Sequence, residues 1–207
     1  MKEKKYNLLT SMFAIYAGAI MIQNILATKQ IDVFVFTVTT GILVSPIVFI
    51  IQDIVSEIYG YKDAKKMVLL GFAINLIGVL LFTLAIYLPS SQFWFNQEAF
   101  KSILGTTLRI SIASFTAYII GSLTNSKIMV LLKNKWPKSL FVRAIGSTIV
   151  GQFLDNALFS LIAFLGILPI KAIMSMIIGA TIFEVLYEMI FYPITRMLIN
   201  KIKKYIG

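Results

Sequence analysis

The sequence has no cysteine and no histidine, and it has few charged residues. Of its 207 residues, 14% are charged and 58% are hydrophobic, and the mean hydropathy is +0.87. Without cysteine or histidine there can be no disulfide framework, no Cys nucleophile, no zinc cluster of the usual kind and no Ser–His mechanism. The small polar fraction argues against a water-soluble enzyme, which needs polar side chains over its surface. An integral membrane protein is therefore the expected class.

The apolar residues fall into six segments, each long enough to cross a bilayer. About 20 apolar helical residues span a hydrocarbon core of about 30 Å. We predict an all-α fold, one transmembrane domain over residues 1–207, with helices at 8–27, 33–58, 68–88, 103–123, 144–168 and 173–199. In the second segment, Gly41 and Pro46 can kink or break the helix and so place its polar C-terminal part deeper.

The net charge of +10 comes mainly from loops on one side of the predicted membrane. Most of the 19 Lys and Arg residues lie in alternate loops and at the two termini, whereas the opposite loops contain only Lys29, Lys101 and Lys171. Because Lys and Arg in short loops stay on the cytoplasmic side, both termini are predicted to be cytoplasmic. This placement explains the positive charge without a nucleic-acid partner.

Six ionisable residues lie within the predicted spans or at their edges, where such groups are costly and mark function. They are Asp53, Glu57, Arg109, Asp155, Glu184 and Glu188. At 1.5 Å per residue, Asp155 and Glu184 lie near the midplane. Five carboxylates cannot all be neutralised by one arginine, so some must be protonated, reach water or meet a cation.

Spacing along the helices groups these residues into stripes. Asp53 and Glu57 are four residues apart, as are Glu184 and Glu188, and each pair shares a helix face. We expect Asp155 and Glu184 to line a polar cavity. For Asp53 and Glu57 an alternative stays open, because Lys62, Lys65 and Lys66 lie close enough in sequence to neutralise them at the membrane surface.

Several amides and one aromatic residue are also expected to face inward, since lipid cannot solvate them. They are Gln23, Asn24, Asn75, Gln152, Asn156 and Tyr118. For Asn75 or Gln23 taken alone, a purely structural role in bonding helices together is equally open.

The sequence contains no constellation for intramembrane catalysis. It lacks H-E-x-x-H and the P-loop pattern, and no loop exceeds about 20 residues, so a nucleotide-binding domain has no place. No cofactor or metal is expected. The function classes that remain are a small-molecule carrier and a binding module, in either case for a flat solute that forms hydrogen bonds. Three helices on each side of the loop 89–101 give halves of opposite orientation, as in an inverted repeat.

One run of motifs closely resembles the queuosine precursor transporter family, also called the vitamin uptake transporter family. It starts with Asn24-Ile-Leu-Ala-Thr-Lys29, Gly41 and Pro46, and continues with the Asp53-x3-Glu57-x-Tyr-Gly stretch and its basic residues. The likeness extends to the fourth helix, with Arg109, Ser114, Tyr118 and Gly121, to the fifth, with Gly151, Gln152 and Asp155, and to the last, with Glu188 and Pro193.

The resemblance implies a six-helix bacterial inner-membrane protein that salvages 7-cyano-7-deazaguanine, 7-aminomethyl-7-deazaguanine or queuine. Together with the spacing it assigns the substrate site to a set of polar side chains: Asn24, Asp53, Glu57, Asn75, Arg109, Tyr118, Gln152, Asp155, Asn156 and Glu184. One departure concerns Glu184, where the family commonly has lysine. That difference bears on which precursor is preferred.

Two modes of action follow. In the first, the protein is a secondary carrier or facilitator, and Glu184 and Glu188 are candidates for proton coupling, because burial away from water favours a neutral carboxyl group. In the alternative, it is the substrate-binding subunit of an energy-coupling-factor transporter and docks on coupling subunits. The expected partners are the deazaguanine and the lipid bilayer. Formation of a homo-oligomer is possible as well and is left undecided by the sequence.

Overall fold

The structure is a computed structural model that describes residues 2–26, 29–33, 36–105, 108–166 and 169–206. Within these ranges the chain is helical apart from one short antiparallel hairpin, and a 3-10 turn, Thr40–Leu43, follows that hairpin. In chain order the elements are α1 Lys2–Leu26, β1 Gln30–Val33, β2 Phe36–Thr39, α2 Ser45–Ile58, α3 Tyr61–Tyr87, α4 Gln97–Leu104, α5 Leu108–Lys135, α6 Leu140–Phe164 and α7 Ile170–Ile206.

Five of the described helices, α1, α3, α5, α6 and α7, are long and apolar enough to cross a membrane. They coincide with five of the six predicted spans. Large apolar side chains remain exposed on their outer surfaces, for example Leu80, Leu81 and Leu84 on α3. Such a surface needs lipid around it, so the architecture is that of an integral membrane protein. The predicted span ends at 27 and 168 lie outside the described residues.

The predicted helix over 33–58 is wrong in extent. The chain forms β1, β2 and the 3-10 turn before α2 begins at Ser45, with Pro46 in its first turn. Proline is accommodated there because the first turn has no hydrogen-bond acceptor for its missing N–H. With 14 residues, α2 is about 21 Å long, shorter than a bilayer core of about 30 Å. It is nevertheless almost entirely buried among the other helices.

The fourth predicted span, 103–123, is also shifted. The separate helix α4 occupies 97–104, and α5 continues twelve residues past the predicted end, to Lys135. This extension mixes polar and apolar residues, and Asn125 and Ser126 on it are buried. Packing against α6 therefore continues the helix beyond the stretch that hydropathy identifies.

Both ends of the chain lie at one end of the helix bundle. Lys4 Nζ lies 5.2 Å from the ring centroid of Tyr205, and Tyr59 Oη donates a hydrogen bond to the Lys5 carbonyl oxygen at 3.1 Å. The start of α1 and the ends of α2 and α7 thus meet. We call this the basic end, defined by Lys4, Lys5, Lys133, Arg143 and Lys203.

Candidate functional site

Helices α5 and α6 pack closely against each other, and two glycine residues make this close packing possible. A Cβ atom on Gly121 would lie 2.6 Å from the Cβ of Asp155 and 2.9 Å from the carbonyl oxygen of Gly151. A Cβ atom on Gly151 would lie 2.6 Å from the Cβ of Asn125. Small residues allow membrane helices to approach this closely. The two glycines therefore fix the position of Asp155 beside α5.

A cavity of about 110 Å³ lies between α1, α3, α5 and α6. Its polar lining comes from Gln23, Asn24, Asn75, Ser114, Tyr118 and Asp155, and its apolar lining from Ile20, Phe115, Ala117 and Phe159. The walls thus combine amides, hydroxyls, one carboxyl group and aromatic rings. A planar polar molecule finds both hydrogen-bonding groups and stacking surfaces here.

Asp155 is the acidic residue of this lining. Among the described residues, no side chain donates a hydrogen bond to its carboxyl group or forms an ion pair with it. A carboxylate in such a place is costly unless water or a ligand satisfies it. The cavity beside Asp155 is where that ligand can lie.

A chain of hydrogen bonds connects the cavity wall to α2. The Tyr118 hydroxyl donates to the Tyr16 hydroxyl, which donates to Gln52 Oε1 at 3.2 Å. Gln52 Nε2 in turn donates to the Ser122 carbonyl oxygen at 2.8 Å. Tyr16 is fully buried. The tyrosine rings and α2 therefore form one connected polar unit behind the cavity.

Behind Asp155, the α6–α7 contact contains a second polar layer. Asn156 Nδ2 donates to Glu184 Oε2 at 2.7 Å and lies 3.3 Å from Thr181 Oγ1. Glu184 and Asp155 are close enough to interact electrostatically. Glu184 does not line the cavity, but the charge of Asp155, which does, acts on it.

A different arrangement surrounds Glu57 at the basic end. Lys203 Nζ lies 3.0 Å from Glu57 Oε1, Arg143 Nη2 lies 3.0 Å from Oε2, and Lys133 Nζ lies 3.4 Å from Oε1. Lys133 also donates to the Glu57 carbonyl oxygen at 2.7 Å. We call these four residues the Glu57 cluster; it joins α2 to α5, α6 and α7.

The structure thus brings together four of the predicted substrate residues: Asn24, Asn75, Tyr118 and Asp155. Five of the others lie apart from the cavity lining. Asp53 contacts Glu188 between α2 and α7, Glu57 lies in its cluster, and Asn156 and Glu184 bond to each other behind Asp155. Gln152 is half-buried on α6 and is not in the cavity lining. The side chain of Arg109 lies outside the described part of the chain.

Tyr16 and Gln52 were not predicted as site residues. A signal for Tyr16 exists, because it lies seven residues, or about two helical turns, before Gln23 and so shares its face. Gln52 gives no such signal, since its partners come from α1 and α5. In the described ranges, no three His, Cys, Asp or Glu side chains group into a metal site.

Comparison with known proteins places this geometry in context. The family described as "putative vitamin uptake transporter" matches residues 39–198. A protein of Bacillus subtilis (strain 168) named "Probable queuosine precursor transporter" is 29% identical over 190 residues, which cover 88% of this chain and 80% of the relative. A Haemophilus influenzae protein of the same name is 30% identical over 134 residues, covering 63% of this chain and 54% of the relative. No solved structure matches the chain.

Proposed function

Because the chain belongs to the vitamin uptake transporter family, we propose that it imports a queuosine precursor across a bacterial cytoplasmic membrane. The substrate is 7-cyano-7-deazaguanine, 7-aminomethyl-7-deazaguanine or queuine, and the protein acts as a secondary carrier or facilitator. The names of both relatives support the substrate class. Neither name refers to an energy-coupling-factor complex, so the carrier is preferred over the binding subunit.

The observation that carries this proposal is the carboxyl group of Asp155, which has no hydrogen-bond donor or cation among the described side chains, in a cavity that also presents amides and aromatic rings. A deazaguanine has adjacent N–H donors along its amide and amino edge, and one carboxylate can accept both. Asn24 and Asn75 supply donors for its carbonyl oxygen. Tyr118 or Phe115 supplies a ring face for stacking.

The size of the cavity suits a closed state of a carrier. At about 110 Å³, it is well below the roughly 300–1,000 Å³ of sites for drug-sized ligands. A bicyclic base therefore requires the four lining helices to separate further. Movement of this kind is what alternating access demands of a carrier.

We further propose six passages through the membrane with both termini in the cytoplasm. The hairpin and α2 would together return the chain from the end of α1 to the basic end. Two contacts support this topology: Lys4 lies against Tyr205, and Tyr59 bonds to Lys5. Basic residues collected at one end are typical of the cytoplasmic side.

The substrate assignment is tested by binding of the three deazaguanines to purified protein, before and after Asp155→Asn. The variant removes the charge but keeps the shape, and hydrogen bonds to a charged group contribute about 1.5–3 kcal/mol. We expect Kd to rise about tenfold to a hundredfold. Asp63→Asn, a half-buried acid at the start of α3, is the matched control and should bind normally.

Absence of saturable binding of all three compounds to the wild type would remove the substrate assignment. Normal binding by Asp155→Asn would remove that residue from the site. The same panel run on Glu184→Lys tests selectivity. Because Glu184 lies within electrostatic reach of Asp155, the added cation should disfavour the aminomethyl compound, which carries a positive charge, relative to the cyano compound.

A further inference from the structure

Two acids outside the cavity meet in the contact between α2 and α7. Asp53 is 1% exposed and Glu188 is 3% exposed, and their carboxyl groups are neighbours that interact with each other. Neither oxygen of Asp53 receives a hydrogen bond from a donor in the described part of the chain, and Glu188 Oε1 receives none either. Within the described residues, each carboxyl group therefore has the other carboxyl group as its polar neighbour.

This contact requires a proton. A carboxylate is only an acceptor, so two carboxylates at this distance repel each other, whereas a carboxyl group and a carboxylate form one strong hydrogen bond. Out of water, the doubly charged form is the more costly one. A single proton held by the pair between α2 and α7 would remove this cost.

The charged surroundings do not replace that proton. Glu57, one turn further along α2, adds a negative charge that acts on Asp53. The cations from α5, α6 and α7, which are Lys133, Arg143 and Lys203, all bind Glu57. Among the described contacts, α3 brings no charged partner to either acid, and α1 reaches α2 through the neutral Tyr16–Gln52 bond.

The pair is mechanically connected to the cavity. Gln52 precedes Asp53 in α2 and accepts a hydrogen bond from Tyr16, which is bonded to the cavity residue Tyr118. At the start of α2, Ser45 Oγ accepts a hydrogen bond from another cavity residue, Gln23, at 3.1 Å. A displacement of α2 relative to α7 is therefore transmitted to the cavity wall at two points.

We infer that Asp53 and Glu188 form the binding site for a proton that is transported together with the substrate, and that this proton holds α2 against α7. In each turnover the pair gains one proton from water and later releases it to water, leaving two carboxylates that repel each other. The inference rests on the proposed function for its substrate. The sequence prediction named Glu184 and Glu188 as proton-coupling candidates, whereas this inference assigns the proton to Glu188 together with Asp53.

Transport in proteoliposomes tests the coupling, with Glu188→Gln as the main variant. The glutamine amide donates to Asp53 the hydrogen bond that the proton otherwise provides, so the α2–α7 contact is kept while titration is lost. For one proton per substrate, a gradient of one pH unit should raise wild-type accumulation about tenfold. Glu188→Gln should lose this accumulation. In a second assay, it should still exchange labelled for unlabelled substrate across the membrane, at a rate within about threefold of that of the wild type.

Asp53→Asn is the second variant and should behave in the same way, whereas the exposed Glu98→Gln on α4 is the matched control and should accumulate normally. Accumulation by Glu188→Gln equal to that of the wild type would overturn the inference. So would wild-type accumulation that follows a sodium gradient and ignores the pH gradient. If the wild type neither binds nor exchanges any of the three deazaguanines, the proposed function has failed instead.

Infrared spectroscopy tests the pair without any substrate. At neutral pH the wild type should show the C=O stretch of a protonated carboxyl group, and Glu188→Gln and Asp53→Asn should each lose part of that absorption. Glu98→Gln should keep it. A wild-type spectrum without this band, or one that both variants leave unchanged, would show that the pair does not hold a proton.

Discussion

Glu57 and Asp155 are both carboxyl groups inside the same bundle, but they have opposite surroundings. The Glu57 side chain is 3% exposed and contacts three cations from three different helices. Asp155 lies beside a cavity, and no cation contacts it within the described residues. A carboxylate neutralised by its own protein contributes to stability, whereas one left without a partner is available to a ligand. The comparison thus separates an acid that its own protein neutralises from the acid that we propose binds the substrate.

The largest expected effect comes from breaking the Glu57 cluster with Glu57→Gln. The buried Arg143 guanidinium, 4% exposed, would lose its counter-charge, and removal of one partner of a buried ion pair costs about 3–5 kcal/mol. We expect a loss of this size in the free energy of unfolding. Unfolding in mixed micelles with increasing SDS, followed by circular dichroism, measures it.

Asp155→Asn provides the contrast in the same assay. It removes a charge that has no partner among the described residues, so stability should stay the same or rise, although substrate binding falls. Glu98→Gln controls for the loss of any acid. Equal destabilisation by Glu57→Gln and Asp155→Asn would contradict the distinction between the two acids.

The next effect concerns how Asp155 is positioned. In Gly121→Ala the new methyl group would lie 2.6 Å from the Asp155 Cβ, so α5 and α6 must separate. Overpacking of this kind typically costs about 1–3 kcal/mol. We expect a stability loss of that order and weaker substrate binding, measured by SDS unfolding and by titration with the deazaguanines.

Gly18→Ala on α1 is the matched control, because a Cβ atom there has nothing within 4 Å. It should be neutral in both assays. If Gly121→Ala were also neutral, the position of Asp155 would not depend on close packing of α5 against α6. The contrast between Asp155, positioned by packing, and Glu57, held by ion pairs, would then be lost.

The long helices could be predicted from sequence because hydropathy is a local property. A run of about 20 apolar residues identifies a span whatever its neighbours are, and five spans were found in this way. The second span was drawn incorrectly because hydropathy does not distinguish a strand from a helix. The stretch 31–39 is rich in β-branched residues, which favour strands, and the structure forms a hairpin there.

The pairing of the acids was harder to predict, because helical spacing identifies only neighbours on one helix. It placed Glu184 and Glu188 on one stripe, yet they have different partners, Asn156 for Glu184 and Asp53 for Glu188. Likewise, the lysines near Glu57 in sequence were considered as its partners, but Lys133, Arg143 and Lys203 contact it. Those contacts depend on how α5, α6 and α7 pack around α2.

The smallest expected effect shows which member of the Glu57 cluster matters. The Lys203 side chain is 50% exposed, in contrast to Arg143 at 4%. Water and salt screen a half-exposed ammonium group, and such pairs typically contribute about 0–1 kcal/mol. Lys203→Met should therefore lower the free energy of unfolding by about 1 kcal/mol or less, and less still at high salt.

Arg143→Met is the matched comparison, because it leaves Glu57 buried with only the two more exposed lysines. It should cost several times more than Lys203→Met in the same SDS unfolding assay, with little dependence on salt. Equal costs for the two variants would mean that the cations act as one network in which exposure does not decide the contribution. Glu57 would then be held by the total positive charge of the basic end, and the difference from Asp155 would lie in the number of nearby cations rather than in one buried ion pair.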